Sequence, residues 1–152
     1  MAGQFGMPHV NVQQRVGAIV IKHTRLEHVL RICLKRLHRL SIASPQYDTL
    51  MKERKISIHR QKIGVALAAS GLDSAQQKEV LQLLYEAKNL SDTRNSLAHD
   101  TWGRRAGGPL MLVNDKERRA RPVPSMAELK QCAIDIDRVR KRLDDLTKPL
   151  LR

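Results

Sequence analysis

The run from Ala75 to His99, AQQKEVLQLLYEAKNLSDTRNSLAH, decides how this chain reads. Val80, Leu83, Ala87, Leu90 and Leu97 recur at three-then-four spacing, which predicts a helix from about Ala75 to Ala98 with one apolar face. Arg94 stands in that row where an apolar residue belongs, so a permanent charge is turned toward the packed side and needs an anionic partner. Asp92 and Asn95 are three apart and Asn95 and His99 four apart, so each pair shares a face. Arg94 and His99 are five apart, about 140° around the helix. They converge only if Arg94 reaches around or the helix ends between them.

A fixed cation, an amide and an imidazole around one helix end are groups suited to a phosphodiester. Arginine forks onto phosphate oxygens, and histidine moves a proton near neutral pH. The plainer alternative pairs Arg94 with a carboxylate such as Asp92 or Asp135 and makes His99 a C-terminal helix residue favoured by the macrodipole. Spacing alone leaves both open.

Working outward toward the N-terminus, Val12, Val16, Ile19, His23, Leu26, Leu30, Cys33, Leu37 and Leu40 keep the same spacing and predict one long amphipathic helix. Its other face holds Arg15, Lys22, Arg25, Arg31, Lys35, Arg36 and Arg39, a stripe that either tracks a nucleic-acid backbone or is simply wet. His23 falls in the apolar row and reads as a hydrogen-bonded core histidine. Residues 1–9, with Gly3, Gly6 and Pro8, read as a flexible arm. Ser44-Pro45 is a helix start, and 45–70 reads as one kinked helix or two. Gly71 ends that segment, and Asp73 or Ser74 caps the next.

Toward the C-terminus, Thr101 to Pro109 cannot be helix. Leu110 to Val113, Asn114-Asp115 and the charged run to Val123 predict a short β-hairpin or extended flap. Residues 103–123 form a basic insertion whose Arg104, Arg105, Lys116, Arg118, Arg119 and Arg121 outnumber Asp115 and Glu117. Those six cations read as a clamp on RNA or as a solvated basic loop. Trp102 is expected to plug the core beside the helix end. Ser125 and Glu128 fit a capping box, and Leu129, Cys132, Ile136, Val139, Leu143 and Leu146 predict the last helix, with 149–152 as a tail. The fold class is therefore all-α: an antiparallel bundle of four to five helices with a hairpin or flap between the last two.

At 152 residues, one domain and one core are expected, spanning 10–148. The net charge is +13, and aromatics make up only 3%, which favours phosphate backbones over base stacking. The excess charge is +5 over residues 1–50, +2 over 51–100 and +6 over 101–152, so it lies away from the middle third. Cys33 and Cys132 both fall on apolar rows and read as buried thiols. The sequence has no apolar stretch of membrane-spanning length, no leader pattern, no zinc spacing and no phosphate-binding glycine loop. These readings predict a cytoplasmic protein with no cofactor, no metal and no membrane partner.

Arg94, Asn95, the spacer Ser96-Leu97-Ala98 and His99, at the end of a helix in a small helical chain, resemble the signature of the HEPN superfamily of ribonucleases and nucleotide-binding domains. The resemblance implies a metal-independent endoribonuclease that leaves 2′,3′-cyclic phosphate and 5′-hydroxyl ends. It makes Arg94, Asn95 and His99 the catalytic residues and implies a homodimer with a composite site. The alternative it leaves is a non-catalytic basic helical module that binds RNA or serves as an adaptor. A further alternative is the toxin half of a toxin–antitoxin pair, restrained by an antitoxin protein.

Overall fold

Local signals place the starts of three of the helices. The computed structural model describes residues 4–5, 9–41, 43–53, 55–104 and 107–151. Helix α1 spans Val10–Leu37, α2 Pro45–Lys52, α3 Ile56–Ala66, α4 Ser74–His99 and α5 Met126–Thr147. Ser44 caps α2, with Pro45 at the first helical position. Asp73 and Gln76 form a capping box on α4, and Ser125 and Glu128 form one on α5, so these two helices start where their sequences say. Residues 45–66 are thus two helices, and Ile56-Ser57-Ile58 opens the second. A 3-10 turn at Leu67–Ala69 ends this segment, and Gly71 takes a φ of +86°, the left-handed conformation that only glycine adopts without strain.

Strands β1 (Gln4–Phe5), β2 (Thr101–Arg104), β3 (Leu110–Asn114) and β4 (Arg119–Pro122) form an antiparallel sheet in that order. The expected hairpin is β3–β4. Strand β2 lengthens it into a meander, with Thr101 opposite Val113 and Arg104 opposite Leu110, and β1 pairs Gln4 with Arg104. The rest of the expected arm, 1–3 and 6–8, lies outside the described residues.

The core is aliphatic. Ile19, Leu26, Leu30, Cys33 and Leu34 of α1 pack with Ile63, Val80, Ala87, Leu97, Leu129, Ile136, Val139 and Leu143, and Leu112 brings the sheet onto the helices. Cys33 and Cys132 are buried free thiols, and burial pushes each up to about 11.

One expectation about the bundle is corrected. Lys22 pairs with Asp137 and Arg36 with Asp144, in the same order along both chains, so α1 and α5 run parallel. Arg138 pairs with Glu86 and Arg142 with Glu79 in opposite order, so α4 and α5 are antiparallel. The bundle is therefore not antiparallel throughout.

Arg36 is a second correction. It sits on the basic stripe in sequence, yet it is only 8% exposed. Its Nη1 donates to Asp144 Oδ1 (2.7 Å), Asp144 O (3.2 Å) and Thr147 Oγ1 (3.1 Å). The seam between α1 and α5 is wide enough that a residue flanking the apolar row is covered, and only a carboxylate and a hydroxyl opposite make that tolerable.

Candidate functional site

Helix α4 delivers Arg94, Asn95 and His99 to its C-terminal end, but the three side chains differ in their surroundings. Arg94 does bend around the helix: its Nη1 donates to Asn95 Oδ1 at 2.8 Å. Its Nη2 lies 3.7 Å from Glu27 Oε1 of α1, and its Nε meets no acceptor among the described residues. The anionic partner is thus Glu27 rather than Asp92 or Asp135. His99 is exposed, and no hydrogen bond or ion pair holds it among the described residues.

Glu27 is the hub of a network that spacing on α4 alone did not reveal. His23 Nδ1 lies 3.2 Å from Glu27 Oε1, and His23 Nε2 shares a 2.8 Å hydrogen bond with Ser91 Oγ, which also reaches the Ala87 carbonyl at 2.7 Å. His23 is therefore the hydrogen-bonded core histidine its position predicts. Its imidazole holds the Glu27 carboxyl below the usual carboxylate range against the opposing effect of burial, with Arg94 and Arg31 adding to the depression. The order Ser91, His23, Glu27 is that of a hydrolase triad. With Ser91 4% and His23 1% exposed, no substrate reaches the hydroxyl, and the network is a brace between α1 and α4. One signal for it was present in sequence: Glu27 is the only acidic residue of α1 and stands four after His23.

Asp100 joins the sheet to this end of α4. Its backbone N–H closes on Ser96 O at 3.0 Å, its Oδ1 accepts from Asn114 Nδ2 at 3.0 Å, and Arg119 Nη2 stands 3.9 Å from its Oδ2. Trp102 is half-buried and donates its indole N–H to Leu97 O at 3.2 Å, sealing the turn where helix becomes strand. The flap is therefore anchored at its base.

The described flap cations differ in their surroundings. Arg104, Lys116 and Arg118 are exposed, Arg118 with a φ of +50°, and none of them is ion-paired among the described residues. Arg119 is engaged by Asp100 and by Glu117 at 3.0 Å. Arg121 turns inward, opposite Leu112. Arg105 lies outside the described residues.

A further pattern appears on the outer face of α4. Leu81, Tyr85, Lys88, Asp92, Asn95 and His99 are all exposed and follow one another at alternating spacings of four and three, so they share one helix face that is apolar at Leu81 and Tyr85 and polar beyond. Among the described residues, no group of three or more His, Cys, Asp or Glu gathers to hold a metal ion, and no helix is long and apolar enough to cross a membrane. Comparisons with protein-family models, with curated proteins and with solved structures returned no match to this chain.

Proposed function

We propose that the chain is a metal-independent endoribonuclease that works as a homodimer across the exposed face of α4. The observation that carries this reading is the 2.8 Å bond from Arg94 Nη1 to Asn95 Oδ1, because it bends the cation toward the face that Asn95 shares with His99. His99 takes the proton of a ribose 2′-hydroxyl or supplies one to the leaving 5′-oxygen. Arg94, held by Asn95 and Glu27, answers the charge that builds on the phosphorane oxygens. Asn95 orients the guanidinium. The products are a 2′,3′-cyclic phosphate and a 5′-hydroxyl, and DNA, which lacks the nucleophile, survives.

One His99 supplies one proton-transfer group where a base and an acid are wanted. A two-fold axis at the end of α4 brings the second copy's His99 to the same cleft. The Leu81–Tyr85 end of the stripe supports such a contact, since it leaves two large apolar side chains more than half exposed. The isolation of His99 favours a second reading, a basic helical module that binds RNA and does not cut it. Arg104, Lys116 and Arg118 serve either reading through phosphate contacts.

Structured RNA incubated in excess EDTA separates the two. Wild type is expected to cleave, while His99→Ala and Arg94→Ala are expected to retain RNA binding and lose cleavage. Leu81→Glu with Tyr85→Glu is expected to sediment as a monomer and to be inactive. Cleavage that is absent in wild type, or unchanged in all three variants, removes the enzyme reading.

A further inference from the structure

The fold divides the basic stripe that the sequence places on α1. Lys22 pairs with Asp137, Arg36 is buried against Asp144, and Lys35 lies 5.3 Å from the centre of the Tyr47 ring. Arg25 and Arg31 are left over. His28 stands between them at steps of three residues, so the three form an oblique row along roughly 9 Å of α1. Helix α5 adds Arg140 from the side. Together with Thr24 and Val29, these four side chains line an open groove of about 400 Å³.

The cations of this groove are open to solvent. Arg25 and His28 are exposed, and neither makes a hydrogen bond or ion pair among the described residues. The Arg140 side chain is 33% exposed, and Arg31 is half-buried. In these two only Nε is shielded and unmet, so their terminal nitrogens are the donors that solvent reaches. Two carboxylates stand near, and each is shared. Asp137 lies between Lys22 and Arg140, whose Nε is 3.8 Å from its Oδ1, and Glu27 answers His23, Arg94 and Arg31. Five fixed cations thus face two carboxylates, and no carboxylate among the described residues lines the groove itself. An anion that meets three guanidiniums over this length carries several separated charges, as a phosphodiester chain does. A protein partner needs an apolar anchor, and the apolar side chain that lines the groove, Val29, is only 8% exposed.

We propose that the groove between α1 and α5 is a binding site for the RNA backbone, separate from the flap and from the end of α4. Arg25, Arg31 and Arg140 contact successive phosphates through their terminal nitrogens, and His28 donates a ring N–H to one of them. These residues belong to α1 and α5 and not to α4 or the sheet, so they position RNA without taking part in its cleavage. Contacts of this kind hold the backbone and read no base, so binding here is indifferent to sequence. The proposal rests on the RNA binding that both readings of the function share, and it does not require cleavage.

The test is fluorescence anisotropy of the purified chain with labelled 2′-O-methyl oligouridylate, which lacks the nucleophile and so reports binding alone, across a salt series in EDTA. Arg25→Gln with Arg140→Gln, one cation from each wall, is expected to weaken binding by about ten-fold and to flatten the salt dependence by about 0.7 log units per lost phosphate contact. Lys78→Gln with Lys148→Gln removes the same charge from exposed sites outside the groove and is expected to change affinity by less than about three-fold. Arg25→Gln alone, at an exposed side chain with no partner among the described residues, is expected to melt like wild type and to weaken binding by about three-fold, which keeps the test valid if the double variant does not fold. Tripolyphosphate and poly-glutamate, at equal ionic strength, are the competitors. The proposal is overturned if wild type does not bind below about 100 μM, if the two double variants weaken binding equally, or if either competitor displaces the oligonucleotide as well as unlabelled RNA does at equal charge. Cleavage of unmodified RNA, followed in parallel, keeps the two ideas apart. Cleavage with binding that ignores Arg25 and Arg140 overturns the groove alone, and groove-dependent binding without cleavage removes the enzyme alone.

Discussion

Replacing Glu27 by Gln asks whether the carboxylate that faces Arg94 and His23 holds α1 to α4. At the 3.7 Å separation of Glu27 and Arg94, the Coulomb attraction is about 4 kcal/mol at an effective dielectric near 20 and about 1 kcal/mol in water. Glu27 is 24% exposed, so water screens part of the attraction, and burial of the carboxylate offsets more. With the 3.2 Å contact to His23 included, the net loss for Glu27→Gln is expected to be about 1–3 kcal/mol at pH 7. For a chain of this length each kcal/mol lowers Tm by about 2–4 °C. The pH dependence follows from the direction of the shift. The folded-state pKa of Glu27 lies below its ordinary value of 4.5, so its contribution is fully present above that value and is lost as pH falls through the folded pKa. Urea denaturation of wild type and Glu27→Gln from pH 7 to pH 3 should therefore show a stability gap that is constant at neutral pH and narrows in acid. A gap under about 0.3 kcal/mol at pH 7, or one that stays constant down to pH 3, refutes the role given to Glu27.

Arg36→Ala is expected to cost about 2–4 kcal/mol in urea denaturation, since it leaves Asp144 and Thr147 facing a seam without their donor. Arg36→Met keeps the apolar stem and should recover part of that loss. Changing Arg104, Lys116 and Arg118 together to Ala is expected to flatten the salt dependence of RNA binding by up to about 0.7–0.9 log units per lost phosphate contact, measured by fluorescence anisotropy across a salt series. Melting temperature is expected to be unchanged, because these three exposed cations have no internal partner among the described residues.

What could be read in the chain was whatever depends on neighbours in sequence. The three-four rows of 12–40, 75–98 and 129–146 located the long helices, and the caps at Ser44, Asp73 and Ser125 located their starts, because helix and cap energetics are settled within one or two turns. The core assignments of His23, Cys33, Cys132 and Trp102 rested on the same local logic. Strand β2 escaped notice because Gly103 and the glycine-rich run after it read as loop despite Thr101 and Trp102, and the segment is held by pairing with β3. The site divided along the same line. That Arg94 needs an anion followed from its row, but the anion itself, Glu27, lies on another helix.

The amino-acid order by itself determined a basic, aromatic-poor, mainly helical chain with a charged insertion between its last two helices, since composition and periodicity require no knowledge of contacts. Only the tertiary structure decided which charges are spent and which are free. Arg36 and Arg119 are engaged by carboxylates, Arg94 is shared between Asn95 and Glu27, Arg121 is turned inward, and Arg104, Lys116 and Arg118 are left in solvent. The reason is that the fate of a guanidinium depends on the dielectric and the partners around it. Both are set by segments far away along the chain, which meet only when the helices pack.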